Sequence, residues 1–197
     1  MEVLKVTIGM PVYGGLQPQT FQCLLELLAR GGYDFHIVMA EDGYTIAENR
    51  NYIAVQAVNN KSDYLLMTDA DMTFPPDTLD RLIENQKEIC GVAYHPRSET
   101  GQIIKYLDEV HAVAIENSED PKYKDTFECH ATGTGIILIK CDVFLKIPQP
   151  WFMFEYHDNG CCKKGEDWFF CEKAKKYGIK TWTDPKIPVG HLGEKIY

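Results

Sequence analysis

The chain has 197 residues, 45% hydrophobic and 25% charged, close to an average soluble globular protein; at ~150 residues per domain it is one compact unit that can bury a core without staples. Collagen, coiled coil and disorder are excluded, and no window approaches the ~18–20 apolar residues that cross a bilayer. The net charge is −9, divided as +3 over residues 160–197 and −12 over residues 1–159. That acidic bulk argues against generic nucleic-acid binding, which needs many Lys and Arg on phosphates, while the basic C-terminal stretch reads first as a solvated helix surface and leaves a phosphate-bearing partner open.

Residues 5–10 form a β-rich run stopped by Pro11, so a strand and a loop are expected there. Leu24, Leu25, Leu27 and Leu28 fall at helical spacing over residues 20–30, and Gly31-Gly32 ends that helix. A buried strand follows at 35–40, then a helix over 45–59 with Ile46, Ile53, Val55 and Val58. Residues 64–68 are a third strand, stopped by Asp69. Pro75-Pro76-Asp77 opens a helix over 78–87, and residues 90–94 form a fourth strand. The alternation predicts an α/β fold with a mostly parallel central sheet covered by helices. The second half changes character: a hairpin over 102–107 and 110–115, a buried strand over 135–140, an amphipathic helix over 165–177 closed by Gly178, and a short strand at 181–183. The expectation is a single domain over 1–197, with a nucleotide-type half to about residue 95 and a smaller mixed half beyond.

The seven cysteines are scattered and odd in number, which suggests reduced thiols and a cytoplasmic setting. Cys161, Cys162 and Cys171 with His157 do not make a good zinc site, because adjacent cysteines rarely fit a tetrahedron. The segment Met1–Val6 lacks a charged head followed by an apolar stretch, so no secretory signal is read there. Ser62, Ser98 and Ser118 are the only serines and none lies in a GxSxG elbow, no phosphate-binding GxxxxGK[ST] loop occurs, and Gly133-Thr134-Gly135 lacks the third glycine of a dinucleotide fingerprint.

Three clusters carry chemistry. In Asp69-Ala70-Asp71 a buried strand ends in two carboxylates two residues apart, which in extended chain point to one side. Ligands of open α/β sheets bind at such strand ends, and two acids there can hold a hard divalent cation while leaving positions for water and phosphate; the plainer reading is an acidic turn that caps the next helix. Glu166-Asp167 opens a helix, where the dipole favours negative charge, or supplies a general base beside a cleft. His191, between Gly190 and Gly193, is either a surface histidine or a neutral imidazole ligand for an ion such as Mn²⁺.

With Met10-Pro11-Val12-Tyr13, Asn49-Arg50-Asn51, Asp69-Ala70-Asp71, Gly165-Glu166-Asp167 and Gly190-His191-Leu192-Gly193 in this order over nearly the whole chain, the sequence resembles a GT-A-fold glycosyltransferase of the family 2 type and its small phage and viral members. The resemblance implies that Pro11, Val12 and Tyr13 lie against the nucleotide base, and that Asp42, of the tandem Glu41-Asp42, holds base or ribose. It implies that Arg50 lines the nucleotide pocket, and that Asp69 and Asp71, with Ala70 between them, hold ribose and a metal–diphosphate. His191 would be the third metal ligand and Asp167 the base of an inverting reaction, with Glu166 near the acceptor. Gly133 and Gly135 would face the donor sugar, where close backbone approach is needed. Trp151 and Trp168 are candidate sugar platforms for the acceptor, or core residues. The implied activity is transfer from a nucleotide-diphosphate sugar, UDP favoured, to a hydroxyl of a glycan, lipid-linked sugar, protein or modified DNA base, with Mn²⁺ or Mg²⁺ as cofactor, in the cytoplasm of a cell or of a virus-infected host. The charge growing on the departing diphosphate is what a cation held by Asp69, Asp71 and His191 would neutralise. Two alternatives stand beside it. A nucleotidyltransferase acting on sugar phosphates would want a basic loop after the first strand, where Tyr13-Gly14-Gly15-Leu16-Gln17 has no Lys or Arg. A non-catalytic nucleotide-sugar or glycan-binding module would not need both acid clusters.

Overall fold

In a computed structural model of the chain, which describes residues 3–95, 104–106, 112–115 and 119–193, the first strand β1 (Lys5–Pro11) is buried from its second residue onward. That continuous burial is the mark of a strand covered on both faces. Helix α1 (Pro18–Arg30) starts with proline in its first turn and ends at Gly31, whose φ of +69° is open to glycine. Its inward residues are Thr20, Leu24 and Leu27, while Leu25 faces solvent.

After β2 (Asp34–Ala40), helix α2 (Ile46–Asn59) opens on a reciprocal capping box: Thr45 Oγ1 accepts from Glu48 N at 3.2 Å and Glu48 Oε2 accepts from Thr45 N at 3.1 Å. The buried face of α2 is Ala47, Arg50, Ile53, Ala54 and Ala57, a helical stripe with an arginine in it. The expected Ile46, Val55 and Val58 flank that stripe and are only partly buried. Small residues let α2 lie close on β1; a Cβ at Gly9 would come within 2.1 Å of Ile53 Cγ2.

Strand β3 (Tyr64–Thr68), the two-residue β4 (Met72–Thr73), α3 (Thr78–Glu84) and β5 (Ile89–Val92) complete the first half. Helix α3 stops short of residue 87 because Gln86 turns to a φ of +54°. The pair β6 (Ile104–Tyr106) and β7 (Ala112–Ala114) is antiparallel, as the expected hairpin requires; the rest of that span lies outside the described residues. Then follow β8 (Phe127–Cys129), β9 (Ile136–Lys140), α4 (Asp142–Lys146), the hairpin β10 (Glu155–Tyr156) and β11 (Cys162–Lys164), α5 (Glu166–Lys176), β12 (Thr181–Asp184) and β13 (Gly190–His191).

The seven-stranded sheet runs β2-β1-β3-β9-β5-β12-β8. Five of its strands, β2, β1, β3, β5 and β12, point one way, as the expected mostly parallel sheet requires, and two run against them. Strand β9 enters antiparallel between β3 and β5, and β8 closes the edge antiparallel to β12, so parallel pairs remain only at β1–β2, β1–β3 and β5–β12. The physical reason is that Ile136–Ile139 is apolar on both faces, a pattern that fixes burial and not strand direction. Alternation splits the core into two layers. Leu65, Met67, Ile137 and Ile139 meet α2, α4 and α5 on one face; Leu66, Leu138 and Cys90 meet α1 and α3 on the other. Among the described residues no helix is long and apolar enough to cross a membrane.

Candidate active site

The turn after β3 is gripped by three distant segments. Asp69 N donates to Gly135 O at 2.9 Å, Gln17 N donates to Ala70 O at 3.0 Å, and Leu192 N donates to Asp71 O at 2.8 Å. Asp69 faces Arg50, and Asp71 faces His191.

Arg50 is 2% exposed and lies beneath this turn. Its Nη2 donates to Asp69 Oδ1 at 2.8 Å, its Nε donates to Glu166 Oε1 at 3.1 Å, and its Nη1 approaches Thr134 O at 3.5 Å. Burial opposes a charge on Arg50, but Asp69 and Glu166 outweigh it and hold the guanidinium above its ordinary value. Burial pushes the Glu166 carboxyl up, against the downward pull of Arg50. One guanidinium therefore joins α2, the end of β3, the Gly133–Gly135 turn and the start of α5. Arg50 is a strut under the site, and Glu166 is its second anchor.

His191 reaches Asp71 through the β4–β13 pair, in which Gly190 faces Thr73 and His191 faces Met72. A Cβ at Gly190 would lie 2.5 Å from Thr73 Oγ1, so glycine is what lets the two strands close. The imidazole Nδ1 lies 3.1 Å from His95 O and Nε2 lies 3.5 Å from Asp71 Oδ1. When Nδ1 carries the proton it donates to the His95 carbonyl, and the Nε2 lone pair is left facing the carboxylate. That is the second-sphere arrangement of metal-binding histidines. Two ligands of one divalent ion, with bonds of about 2.1 Å, sit about 3–3.5 Å apart, so Asp71 and His191 fit a shared cation. Among the described residues no group of three or more His, Cys, Asp or Glu side chains is placed to hold a metal ion. The expected set Asp69, Asp71 and His191 is thus not assembled, because Asp69 is drawn to Arg50. Two protein ligands would leave a hard cation positions for water or phosphate oxygens.

Asp167 opens α5 behind Gly165. Its Oδ1 accepts the Trp168 amide at 2.7 Å, and a Cβ at Gly165 would approach that oxygen to 2.8 Å. The carboxylate folds back over its own helix start and stays half-buried. Tyr94 was not legible as a site residue. Its Oη accepts from Gly135 N at 3.2 Å, and burial, then the charge of Asp69, pushes its hydroxyl up. The glycines at 133 and 135 signal a close approach, and Tyr94 is what approaches.

At the carboxyl end of β1, Pro11 lies opposite Ala40, and Val12 N donates to Ala40 O at 2.9 Å. Val12 and Tyr13 line a cavity of about 310 Å³ with Met39 and Glu41; Asp42 lines an adjoining cavity of about 380 Å³ that Met39 and Glu41 share. Tyr13 Oη donates to Gly43 O at 3.0 Å between them. Glu41 borders both cavities and Asp42 one. A larger cavity of about 510 Å³ lies at the opposite end of the sheet, by Leu4, Asp63 and Leu145, away from the acid clusters.

The two tryptophans part company. Trp151 is 4% exposed, its ring packs on Phe144, and its Nε1 donates to Ile147 O at 2.8 Å. It is a core residue and offers no face to a sugar, because the segment after α4 folds under α2. Trp168 is half-buried next to Asp167, with Nε1 donating to Glu172 Oε1 at 2.9 Å. Glu172 also meets His130 Nε2 at 3.2 Å and pairs with Lys164, a polar cluster that sequence spacing did not reveal. Burial alone would push the Glu172 carboxyl up, but the hydrogen bonds from Lys164, Trp168 and His130 hold it below its usual value. Cys161 and Cys162 are exposed near the β10–β11 hairpin and Cys171 is buried in α5.

No family model matches the chain, and no curated protein matches it in sequence. Solved structures do match its fold. The viral protein A197 from STIV superimposes with a TM-score of 0.63 at 16% identity, over 97% of this chain and 87% of its own. GalNAc-T7, in a structure with UDP, GalNAc and Mn²⁺, gives 0.59 at 13% identity, over 98% of this chain. The chain spans only 44% of that longer protein. An inositol-1-phosphate CTP transferase from T. maritima gives 0.50 at 12% identity, over 97% of this chain and 90% of its own. The chain has a GT-A fold, the fold that glycosyltransferases share with nucleotidyltransferases. Along nearly its whole length it resembles a small viral protein of that fold.

Proposed function

We propose that the chain is a metal-dependent glycosyltransferase that moves a sugar from a nucleotide-diphosphate donor, UDP favoured, to an acceptor hydroxyl with inversion. The observation that carries this reading is the meeting of Asp71 and His191, 120 positions apart in the chain, with 3.5 Å between Oδ1 and Nε2. Asp71 and His191 would hold Mn²⁺ or Mg²⁺. Such an ion supplies charge neutralisation on a departing diphosphate. Asp69 orients Arg50 and the turn that carries Asp71. Pro11, Val12 and Tyr13 bear on the base, with Asp42 or its neighbour Glu41 accepting from base or ribose. Gly133 and Gly135, packed against Tyr94, face the donor sugar through their backbone. Asp167 accepts the proton of the attacking hydroxyl, and Trp168 beside it offers a face to a saccharide acceptor. Glu166 acts through Arg50 rather than on the acceptor. GalNAc-T7, which shares the fold and was solved with UDP and Mn²⁺, supports the donor and cofactor classes.

The test is incubation with Mn²⁺ and a set of nucleotide sugars, reading release of nucleoside diphosphate. Turnover that disappears in Asp71→Ala while the fold persists supports the reading; full activity in Asp71→Ala refutes the metal assignment. A second reading, nucleotidyltransfer, is favoured by the likeness to the T. maritima CTP transferase. The absence of Lys or Arg from Tyr13–Gln17 disfavours it, and pyrophosphate release would reveal it.

A further inference from the structure

Tyr94 stands two residues beyond β5, between two parts of the site that no other side-chain contact described above joins. On one side its Oη accepts from Gly135 N at 3.2 Å. Its ring fills the volume that any side chain at 133 or 135 would need: a Cβ at Gly133 would lie 2.1 Å from Oη, and one at Gly135 would lie 2.8 Å from Cζ. On the other side the ring meets His191 nearly edge to face, with centroids 5.7 Å apart and planes at 87°. The glycine turn is already held from below by Asp69 N on Gly135 O at 2.9 Å and by Arg50 near Thr134 O. His191 is held by a two-residue strand pair, by Leu192 N on Asp71 O at 2.8 Å and by its Nδ1 at His95 O at 3.1 Å, and none of these contacts reaches the glycine turn. The Tyr94 ring is therefore the spacer that sets how far the imidazole stands from the turn.

We infer that Tyr94 is a positioning residue for sugar transfer, fixing the separation between the Gly133–Gly135 backbone and the His191 imidazole. This rests on the reading of the site as a metal-dependent donor site. A donor held at its diphosphate by the Asp71–His191 end and at its sugar by the glycine turn spans that separation. An error in it displaces the reacting carbon relative to Asp167. The two functions of the side chain separate chemically. The ring supports His191 and hence the cation-dependent part of binding. The hydroxyl fixes Gly135 and hence the sugar's orientation.

The experiment compares wild type, Tyr94→Phe and Tyr94→Leu. Each is checked by thermal melting, titrated with UDP with and without Mn²⁺, and assayed for UDP release from UDP-sugars. Tyr94→Phe keeps the ring, so its UDP affinity in Mn²⁺ stays within about twofold while kcat falls about tenfold at an unchanged donor KM. Tyr94→Leu loses the ring, so UDP affinity in Mn²⁺ falls about tenfold while the metal-free affinity is unchanged. A side chain that serves only the fold would lower the melting temperature and weaken both affinities together, which overturns the inference. So does a Tyr94→Phe enzyme with wild-type kcat, a result that decides the matter even if Tyr94→Leu fails to fold. If wild type binds UDP with Mn²⁺ and turns over donor while both variants match it, only the role of Tyr94 is refuted. If wild type shows no Mn²⁺-dependent UDP binding, the donor-site reading itself fails and Tyr94 loses its role with it.

Discussion

Arg50 Nη2 donates to Asp69 Oδ1 at 2.8 Å, so the first acid of the Asp69-Ala70-Asp71 turn is neutralised from within the protein before any ligand arrives. The same guanidinium takes Glu166 as its second partner at 3.1 Å, so a buried arginine joins a buried and a partly exposed carboxylate.

Removing Arg50 leaves two partly or fully buried carboxylates without their counter-charge. Arg50→Met is expected to lower stability by about 3–5 kcal/mol, the usual cost of breaking a buried ion pair from one side. Arg50→Lys recovers little, since an ammonium lacks the fork that reaches Asp69 and Glu166 together. Adding Glu166→Gln to Arg50→Met restores part of the loss. Urea unfolding of the four proteins checks this, and an Arg50→Met protein with a wild-type midpoint would contradict it.

Asp167 is expected to act on the acceptor rather than on the donor. Asp167→Asn keeps the oxygen that accepts from Trp168 N but removes the base. Sugar transfer falls by about 10²–10⁴-fold, the range of a general base, while UDP binding in Mn²⁺ stays within about threefold. Steady-state rates beside UDP titration separate the two effects. Equal losses in both would make Asp167 a donor ligand.

Much of the scaffold was readable because parallel strands and their helices announce themselves. β3 is an apolar run that ends where Asp69 begins, and α2 begins at a Thr45–Glu48 capping box. The inward face of α2 was not readable, since a hydrophobic count passes over Arg50, the residue at its centre. Nor was the direction of β9, because burial on both faces looks the same in parallel and antiparallel strands. The acids and His191 could be singled out by type and spacing. Their pairing could not: β4 and β13 are two residues each and carry no periodic signal. Trp151 had the right chemistry for a sugar platform, and only packing against Phe144 reveals it as core.

The close approach of α2 to β1 gives a test of the fold. Gly9→Ala drives a methyl to within 2.1 Å of Ile53 Cγ2 and is expected to cost about 1–3 kcal/mol by overpacking. Ile53→Ala alone costs about 2–5 kcal/mol through the cavity it leaves. The double variant is less destabilised than the sum of the singles, because each change relieves the other. Additive losses would mean that α2 and β1 are not in contact there.

Glu172 predicts a pH dependence of stability. Its carboxyl is held below its usual value in the folded chain, so the unfolded chain takes up the proton first as pH falls. The contribution is fully present above the ordinary glutamate range of about 4.3 and is lost as pH falls through the lower folded value. Between about pH 6 and pH 3 the wild-type stability therefore declines more steeply than that of Glu172→Gln. Urea midpoints across that range check the difference in slope, and parallel profiles would contradict it.

The pairing of Asp71 with His191 as the two protein ligands of a divalent cation is tested most directly by calorimetric titration of UDP into wild type, Asp71→Ala and His191→Ala, each with Mn²⁺ and with a chelator. Wild type should bind UDP at least about tenfold tighter in Mn²⁺, and either substitution should abolish that difference while leaving the weak metal-free binding in place. UDP affinity that is the same with and without Mn²⁺ in wild type, or a metal effect that survives in both variants, would contradict the account.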